Sequence, residues 1–334
     1  MIPISLQDLF CSFLGFYFTD VSDSRRNQFI FKNERNRRII DQRSTEHLIL
    51  SAQWGIILGM TSRRFLFSLK SLILGSLALT ILSGTSAEAR STPPTIGAKR
   101  AIVIDYRSGK ILFAKNAHQK CAVASTQKLL TALCVLDAGS LRDSVTIQQS
   151  DTYCEPTKLY LKPGQRYTRK DLLQVLIVKS ANDVARALAR DVSGSQTAFS
   201  KYMNRKAKQL GMHNSNFINP NGLTVKGQYS TAYDVAIMSR NAYSRPEIRE
   251  MMKIQSYHFR YSNGSKKLLK NTNRLLGKNP YCNGMKTGTT RASGRCLVSS
   301  GTHNGRTVIA VVLGATSSTI WTDSERLLNW GLGL

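Results

Sequence analysis

Ala124-Ser125-Thr126-Gln127-Lys128-Leu129-Leu130-Thr131-Ala132-Leu133-Cys134-Val135-Leu136-Asp137-Ala138-Gly139 contains a run that is apolar almost all round. Such a run is a helix buried inside a domain, not one lying on its surface. Gly139 supplies the stop. The helix is expected to begin at or just after Ser125. Its first turn sets Ser125 and Lys128 at i and i+3, on one face and about 5–6 Å apart at Cβ. A serine there sits at the positive end of the helix dipole, beside free backbone N–H groups. A lysine in a dry pocket can give up its proton and act as a base. Alone, S-x-x-K also describes an ordinary helix start with a solvated first-turn lysine, so the rest of the chain has to decide between the two.

The 334 residues are enough for one large domain or two small ones. Lys+Arg total 47 and Asp+Glu 20, a net charge of +27. Residues 1–89 hold 10 basic and 7 acidic residues, so residues 90–334 keep 37 and 13, a net +24. That excess favours an anionic partner, whether nucleic acid, acidic lipid or acidic cell-wall polymer. No zinc-ligand spacing, Gly-rich phosphate loop or basic strip with interleaved aromatics accompanies it, so no nucleic-acid role is expected. The six cysteines form no C-x-x-C pair, so neither a metal nor a redox site is expected, and no cofactor.

Residues 60–89 read as an export signal. Arg63, Arg64 and Lys70 precede an apolar run from Ser71 to Leu82, and Ala87-Glu88-Ala89 is a cleavage site of the A-x-A type. The run is short for a membrane span. Its position inside the chain leads to the expectation that translation starts at Met60 and that residues 1–59 are an upstream extension. A longer anchor built with Leu48 to Leu58 is the alternative. Residues 90–334 would then be the exported domain, with no stable membrane anchor after cleavage, periplasmic or held to the wall.

Beyond a short linker, Ala101 to Tyr106 and Ile111 to Lys115 read as paired strands around an Arg107–Lys110 turn. After the Ser125 helix, Val145 to Ile147 and Leu159 to Leu161 read as short extended pieces. Thr168 and Asp171 form a capping box for a helix to about Val178. Helices follow from Asn182 to Asp191, Gln196 to Leu210, and Ser230 to Asn241, with Pro246 opening a short one. The chain then turns β-rich. Ser256–Tyr261 and Lys266–Leu269 flank an Asn263-Gly264 hairpin turn. Strands are expected at Gly284–Thr289, Cys296–Gly301 and Arg306–Leu313, then a closing helix from Ser318 to Trp330. The fold class is α+β: one antiparallel sheet of about five strands flanked by terminal helices, with a helical subdomain inserted.

Two further motifs fall in telling places. Ser180-Ala181-Asn182 joins two helices, where Ser180 can relay a proton and Asn182 can hydrogen-bond a substrate amide. Lys286-Thr287-Gly288-Thr289 lies in a strand, where a cation and hydroxyls can hold a carboxylate and Gly288 admits a substrate backbone. Ser125 and Ser180 are 55 residues apart, Ser180 and Lys286 106 apart. S-x-x-K, S-x-N and K-T-G, in that order and in helix start, interhelical loop and strand, are the set used by serine D,D-peptidases and class A β-lactamases.

With these motifs the chain resembles the low-molecular-mass penicillin-binding proteins, the serine D-alanyl-D-alanine carboxypeptidases of peptidase family S11. Leu159-Tyr160-Leu161-Lys162-Pro163-Gly164, Leu210-Gly211-Met212, Asn219-Pro220-Asn221-Gly222-Leu223 and Asn271-Thr272-Asn273 extend the resemblance over residues 97–332. It implies a β-lactamase/transpeptidase-like fold and a set of roles. Ser125 attacks the carbonyl between two D-alanines, Lys128 takes its proton, and Ser180 passes a proton to the leaving D-alanine. The N–H groups of Ser125 and Thr289 hold the oxyanion. Lys286 and Thr287 bind the terminal carboxylate beside Gly288, and Asn182 holds the peptide amide. The implied partners are peptidoglycan peptides ending in D-Ala-D-Ala, with β-lactams as covalent inhibitors. No metal is implied. A D,D-endopeptidase would use the same residues. A class A β-lactamase fits less well, because Ala181 replaces the usual aspartate and no glutamate motif stands between Asn182 and Lys286.

Overall fold

A computed structural model of the chain describes residues 91–334. The export signal, the Met60 start and the upstream extension fall outside the described residues.

The centre of the fold is a sheet whose strands all run antiparallel to their neighbours. β1 (Arg100–Asp105) and β2 (Ile111–Lys115) form one side. β1 also pairs with the last strand, which in turn pairs with the one before it. Chain order between these strands runs as follows. α1 (Lys128–Asp137) follows a single 3-10 turn at Ala124–Gln127. Next come β3 (Ser144–Thr146), α2 (Gln149–Thr152) and β4 (Arg166–Thr168). Five helices complete the inserted region: α3 (Arg169–Val178), α4 (Asn182–Ser193), α5 (Gln196–Gln209), α6 (Ala232–Ser244) and α7 (Pro246–Met252). The hairpin β5 (Ser256–Arg260) and β6 (Lys266–Lys270) stands apart from the main sheet. β7 (Cys282–Gly284), β8 (Thr287–Thr290), β9 (Gly294–His303) and β10 (Arg306–Ala315) return to it, and α8 (Ile320–Leu332) closes the chain.

The period-2 alternation of the strands builds two cores. Ile102, Ile104, Val298, Ile309, Val311 and Leu313 face the helical region, where α1 packs with Leu129, Leu130 and Leu133. Ala101, Val103, Leu297, Val308, Ala310 and Val312 face α8 through Ile320, Leu327 and Leu328. One-residue slippage would exchange the two faces, so the register is pinned from both sides. The predicted helices and hairpin are present with small shifts at their ends. The Thr168 hydroxyl accepts from Asp171 N and caps α3; Thr231, one residue past the expected Ser230, caps α6.

Two expectations change. Leu159–Leu161 is not a strand. The Asp183 carboxylate accepts from the N–H groups of Leu159, Tyr160 and Leu161, which satisfies the donors a ladder would have used. β3 pairs with Arg166–Thr168 instead. The expected strand Gly284–Thr289 is broken into β7 and β8, both on β9. Gly284 (φ +106°) and Met285 (φ +95°) turn the chain. A Cβ on Gly284 would stand 2.1 Å from the Met252 carbonyl oxygen, so α7 presses on the break. Lys286 nonetheless keeps both ladder bonds to Val298. The sheet thus has five positions, the last filled by two segments. Among the described residues no helix is long and apolar enough to cross a membrane.

Candidate active site

The buried start of α1, the α3–α4 loop and β8 meet at a cleft of about 410 Å³. Ser125, Ser180, Asn182, Thr287, Gly288 and Thr289 all line it. Every residue singled out from the three motifs is therefore in the cleft wall, except the two lysines. Lys128 and Lys286 lie beneath it with no exposed surface.

Ser125 stands in the 3-10 turn, not at a capping position. The tighter turn and the α1 start place Lys128 Nζ 2.8 Å from Ser125 Oγ. Lys128 Nζ also lies 2.7 Å from Asn182 Oδ1 and 2.6 Å from the Asn221 carbonyl oxygen. Burial, and next the nearby charge of Lys286, hold Lys128 well below the ordinary lysine range. A neutral amine fits this geometry. Its two hydrogens go to Asn182 Oδ1 and the Asn221 carbonyl, and its lone pair lies toward Ser125 Oγ, placed to take the hydroxyl proton when that proton turns from the Asn221 carbonyl. That is the arrangement a general base needs.

Asn182, the first residue of α4, is more heavily used than its motif implied. Its Nδ2 donates to the carbonyls of Glu155 and Pro156, and its N–H to that of Thr157. It therefore orients Lys128 and ties down the 155–157 loop while lining the cleft. Ser180, two residues past the end of α3, takes φ +66° and lines the cleft outside the Lys128 cluster.

β8 runs along the other wall. A Cβ on Gly288 would come within 2.8 Å of Ser125 N and 2.9 Å of Ala124 Cβ, so only glycine lets the strand lie this close to Ser125. Among the described residues, Lys286 Nζ has one hydrogen-bond partner, the Thr287 carbonyl at 3.1 Å. Burial lowers its pKa to about 7. Thr287 Oγ1 donates to Thr272 Oγ1 at 2.6 Å, and Thr289 Oγ1 to the Gly288 carbonyl.

Reasoning from side-chain types missed the contribution of residues 219–222. Asn221 acts through its backbone carbonyl, which also accepts from Ser125 Oγ at 3.2 Å. The Asn219 and Pro220 carbonyls accept from Gln127 and Thr131. Gly222 (φ +84°) passes Ala124 so closely that a Cβ would be 2.2 Å from its carbonyl oxygen. The available signal was the Asn219-Pro220-Asn221-Gly222 stretch itself, a turn sequence with no reactive side chain. Asn271 and Thr272, quoted for the resemblance without a role, line the cleft, as do Arg274, Arg295 and Trp321, which were not singled out. The five described cysteines are free thiols, and Cys296 is in the cleft wall. Among the described residues no group of three or more His, Cys, Asp or Glu is placed to hold a metal ion.

The chain is similar to known proteins. The D-alanyl-D-alanine carboxypeptidase DacF of Bacillus subtilis is 35% identical over 257 residues, 75% of this chain and 66% of its own length. This chain thus spans just under two thirds of that relative. A D-alanyl-D-alanine endopeptidase of Escherichia coli is 32% identical over 79% of this chain and 87% of its own length. Among solved structures, a D-alanyl-D-alanine carboxypeptidase from Mycobacterium tuberculosis superposes with a TM-score of 0.70 at 31% identity, covering 74% of this chain and 95% of the other. The family model for D-alanyl-D-alanine carboxypeptidases, Peptidase S11, matches residues 87–317, and the chain belongs to that family.

Proposed function

We propose that the protein is a serine D-alanyl-D-alanine carboxypeptidase that removes the terminal D-alanine from peptidoglycan stem pentapeptides. The observation that carries this reading is the contact of Lys128 Nζ with Ser125 Oγ at 2.8 Å, under a cleft walled by β8.

The peptide lies along β8, where Gly288 admits its backbone. Its terminal carboxylate meets Lys286 and Thr287, and that anion restores the proton that burial has loosened from Lys286. Lys128 accepts the Ser125 proton as Oγ adds to the penultimate D-alanine carbonyl. The N–H groups of Ser125 and Thr289 stabilise the resulting oxyanion. Ser180 relays the proton to the amide nitrogen, the C–N bond breaks, and free D-alanine leaves an ester on Ser125. Water, activated by Lys128, hydrolyses that ester and regenerates the serine. A β-lactam enters the same path, but its ring-opened acyl group stays on Ser125. In this reading residues 90–334 are the catalytic domain, exported by the signal at residues 60–89 and acting at the cell wall.

The test is D-alanine release by the purified protein from a pentapeptide ending in D-Ala-D-Ala. Release that is lost in Ser125→Ala and blocked by penicillin supports the reading. An endopeptidase is the second reading, since a relative of that name is 32% identical over 87% of its own length. Cleavage of a cross-linked muropeptide dimer without release from the pentapeptide would select it.

A further inference from the structure

A groove of about 480 Å³ separates the β3–β4 pair from the tip of the β5–β6 hairpin. Arg166 and Arg260 line it together with Ser144, Thr168 and Ser262. Its floor is aromatic. Tyr167 of β4 packs on Phe259 with ring centroids 5.2 Å apart, and Phe259 packs on Tyr261 at 5.1 Å. Ser262 N donates to Tyr167 Oη, which ties the hairpin tip to β4. The groove's carboxylate, Asp171, is already engaged by the hydroxyls of Thr168 and Tyr257.

The hairpin itself is basic and unneutralised. Residues 256–270 include Arg260, Lys266, Lys267 and Lys270 and no Asp or Glu. All four cations are exposed, and none is in an ion pair with a described residue. The register sets Arg260 directly opposite Lys266. Like charges facing each other across an antiparallel pair weaken it, and an anion bound between them relieves the repulsion. Among the described residues, the Arg166 guanidinium across the groove has one hydrogen-bond partner, the Ser144 hydroxyl at 3.4 Å. The hairpin joins the cleft wall in sequence: Asn271 and Thr272, which line the cleft, follow Lys270 at its base. On the other side, Tyr261 Oη donates to the Leu159 carbonyl in the loop held by Asp183, next to Asn182.

We propose that this groove and the outward face of the hairpin form a second site, which binds carboxylates of a cell-wall polymer while one of its stem peptides occupies the cleft. The identity of the polymer rests on the function proposed above. The position beside the cleft favours the polymer that the cleft processes over nucleic acid or anionic lipid, which would answer to the same charge.

The variant R166Q/R260Q/K266Q/K267Q tests it, since all four side chains are exposed and outside the catalytic machinery. Co-sedimentation with purified sacculi is expected to weaken about tenfold in the variant, and wild-type binding to weaken as salt rises. Sacculi with amidated carboxyls should bind the wild type as weakly as native sacculi bind the variant. D-alanine release from a soluble pentapeptide should stay within about twofold of wild type, because only polymer capture is lost. Equal sedimentation of variant and wild type overturns the second site. So does unchanged binding to amidated sacculi, or loss of binding to anionic phospholipid vesicles alone. Absence of D-alanine release from the wild type would instead overturn the function on which the polymer's identity rests.

Discussion

Lys128 and Lys286 are both fully buried beneath one cleft, yet they are provided for differently. Lys128 has three partners, Ser125 Oγ, Asn182 Oδ1 and the Asn221 carbonyl, all within 2.8 Å. Lys286 has the Thr287 carbonyl alone among the described residues, at 3.1 Å. A buried cation without partners is costly, so a site that leaves one under-coordinated is waiting for an anion. In the proposed function Lys128, already completed by the protein, exchanges one proton with Ser125, and Lys286 is completed by the substrate carboxylate. On that proposal the α1 wall serves chemistry and the β8 wall recognition.

The strongest way to break that division is at Ser125 and Lys128. Ser125→Ala should lower kcat/KM for D-alanine release by about 10⁴-fold or more, and Lys128→Met by about 10²–10⁴-fold. Both variants should still bind peptide, measured by equilibrium titration. A Lys128→Met variant whose loss lies in KM alone would mean the two walls do not divide the work.

Gly222→Ala probes the carbonyl support of Lys128. The new Cβ would meet the Ala124 carbonyl oxygen at 2.2 Å, in a backbone with φ +84°. A stability loss of about 3 kcal/mol is expected, read from denaturant midpoints, together with a fall in kcat as the Asn221 carbonyl is displaced.

Lys286→Met sharpens the recognition half. KM for the pentapeptide should rise about 10–100-fold as a charge-assisted contact is lost, with a smaller change in kcat. Stability should move the other way. Lys286 is held near 7 in the fold against 10.5 ordinarily. Between those values the unfolded chain keeps a proton that the folded chain has shed, so stability rises with pH there and the penalty is full below about 7. The variant should therefore exceed wild type in stability by the most below pH 7, with the gap closing toward pH 10. A gap that widens with pH would contradict the burial argument. Binding of the carboxylate by wild type should also weaken as pH climbs through about 7, where the empty site loses its proton.

The smallest expected effect lies away from both walls. Thr168→Ala removes the cap of α3. It should cost about 1 kcal/mol in a thermal or denaturant melt and leave kcat unchanged.

The sheet, the helical insertion and the three motifs were legible because each is written in side chains. Short continuous apolar runs mark β1 and β10 as strands buried on both faces, the longer apolar run marks α1, and reactive groups at fixed spacing mark Ser125, Ser180 and Lys286. What escaped was written in the backbone. The Asn221 carbonyl has no side-chain signature, and the turn at Gly284-Met285 depends on contact with Met252 in a distant helix. Leu159–Leu161 has the composition of a strand, but one carboxylate, Asp183, captured its N–H groups first. Asn182 was read as a substrate ligand from its type, whereas its geometry also makes it a support for Lys128.

The most direct test of the account is to map the adduct formed with benzylpenicillin by peptide mass analysis, in wild type, Lys128→Met and Lys286→Met. The account predicts a penicilloyl group on the peptide containing Ser125. Its formation should be nearly abolished in Lys128→Met, and in Lys286→Met merely slowed and restored by higher drug concentration. An adduct on another residue, or full-rate labelling of Ser125 in Lys128→Met, would contradict it.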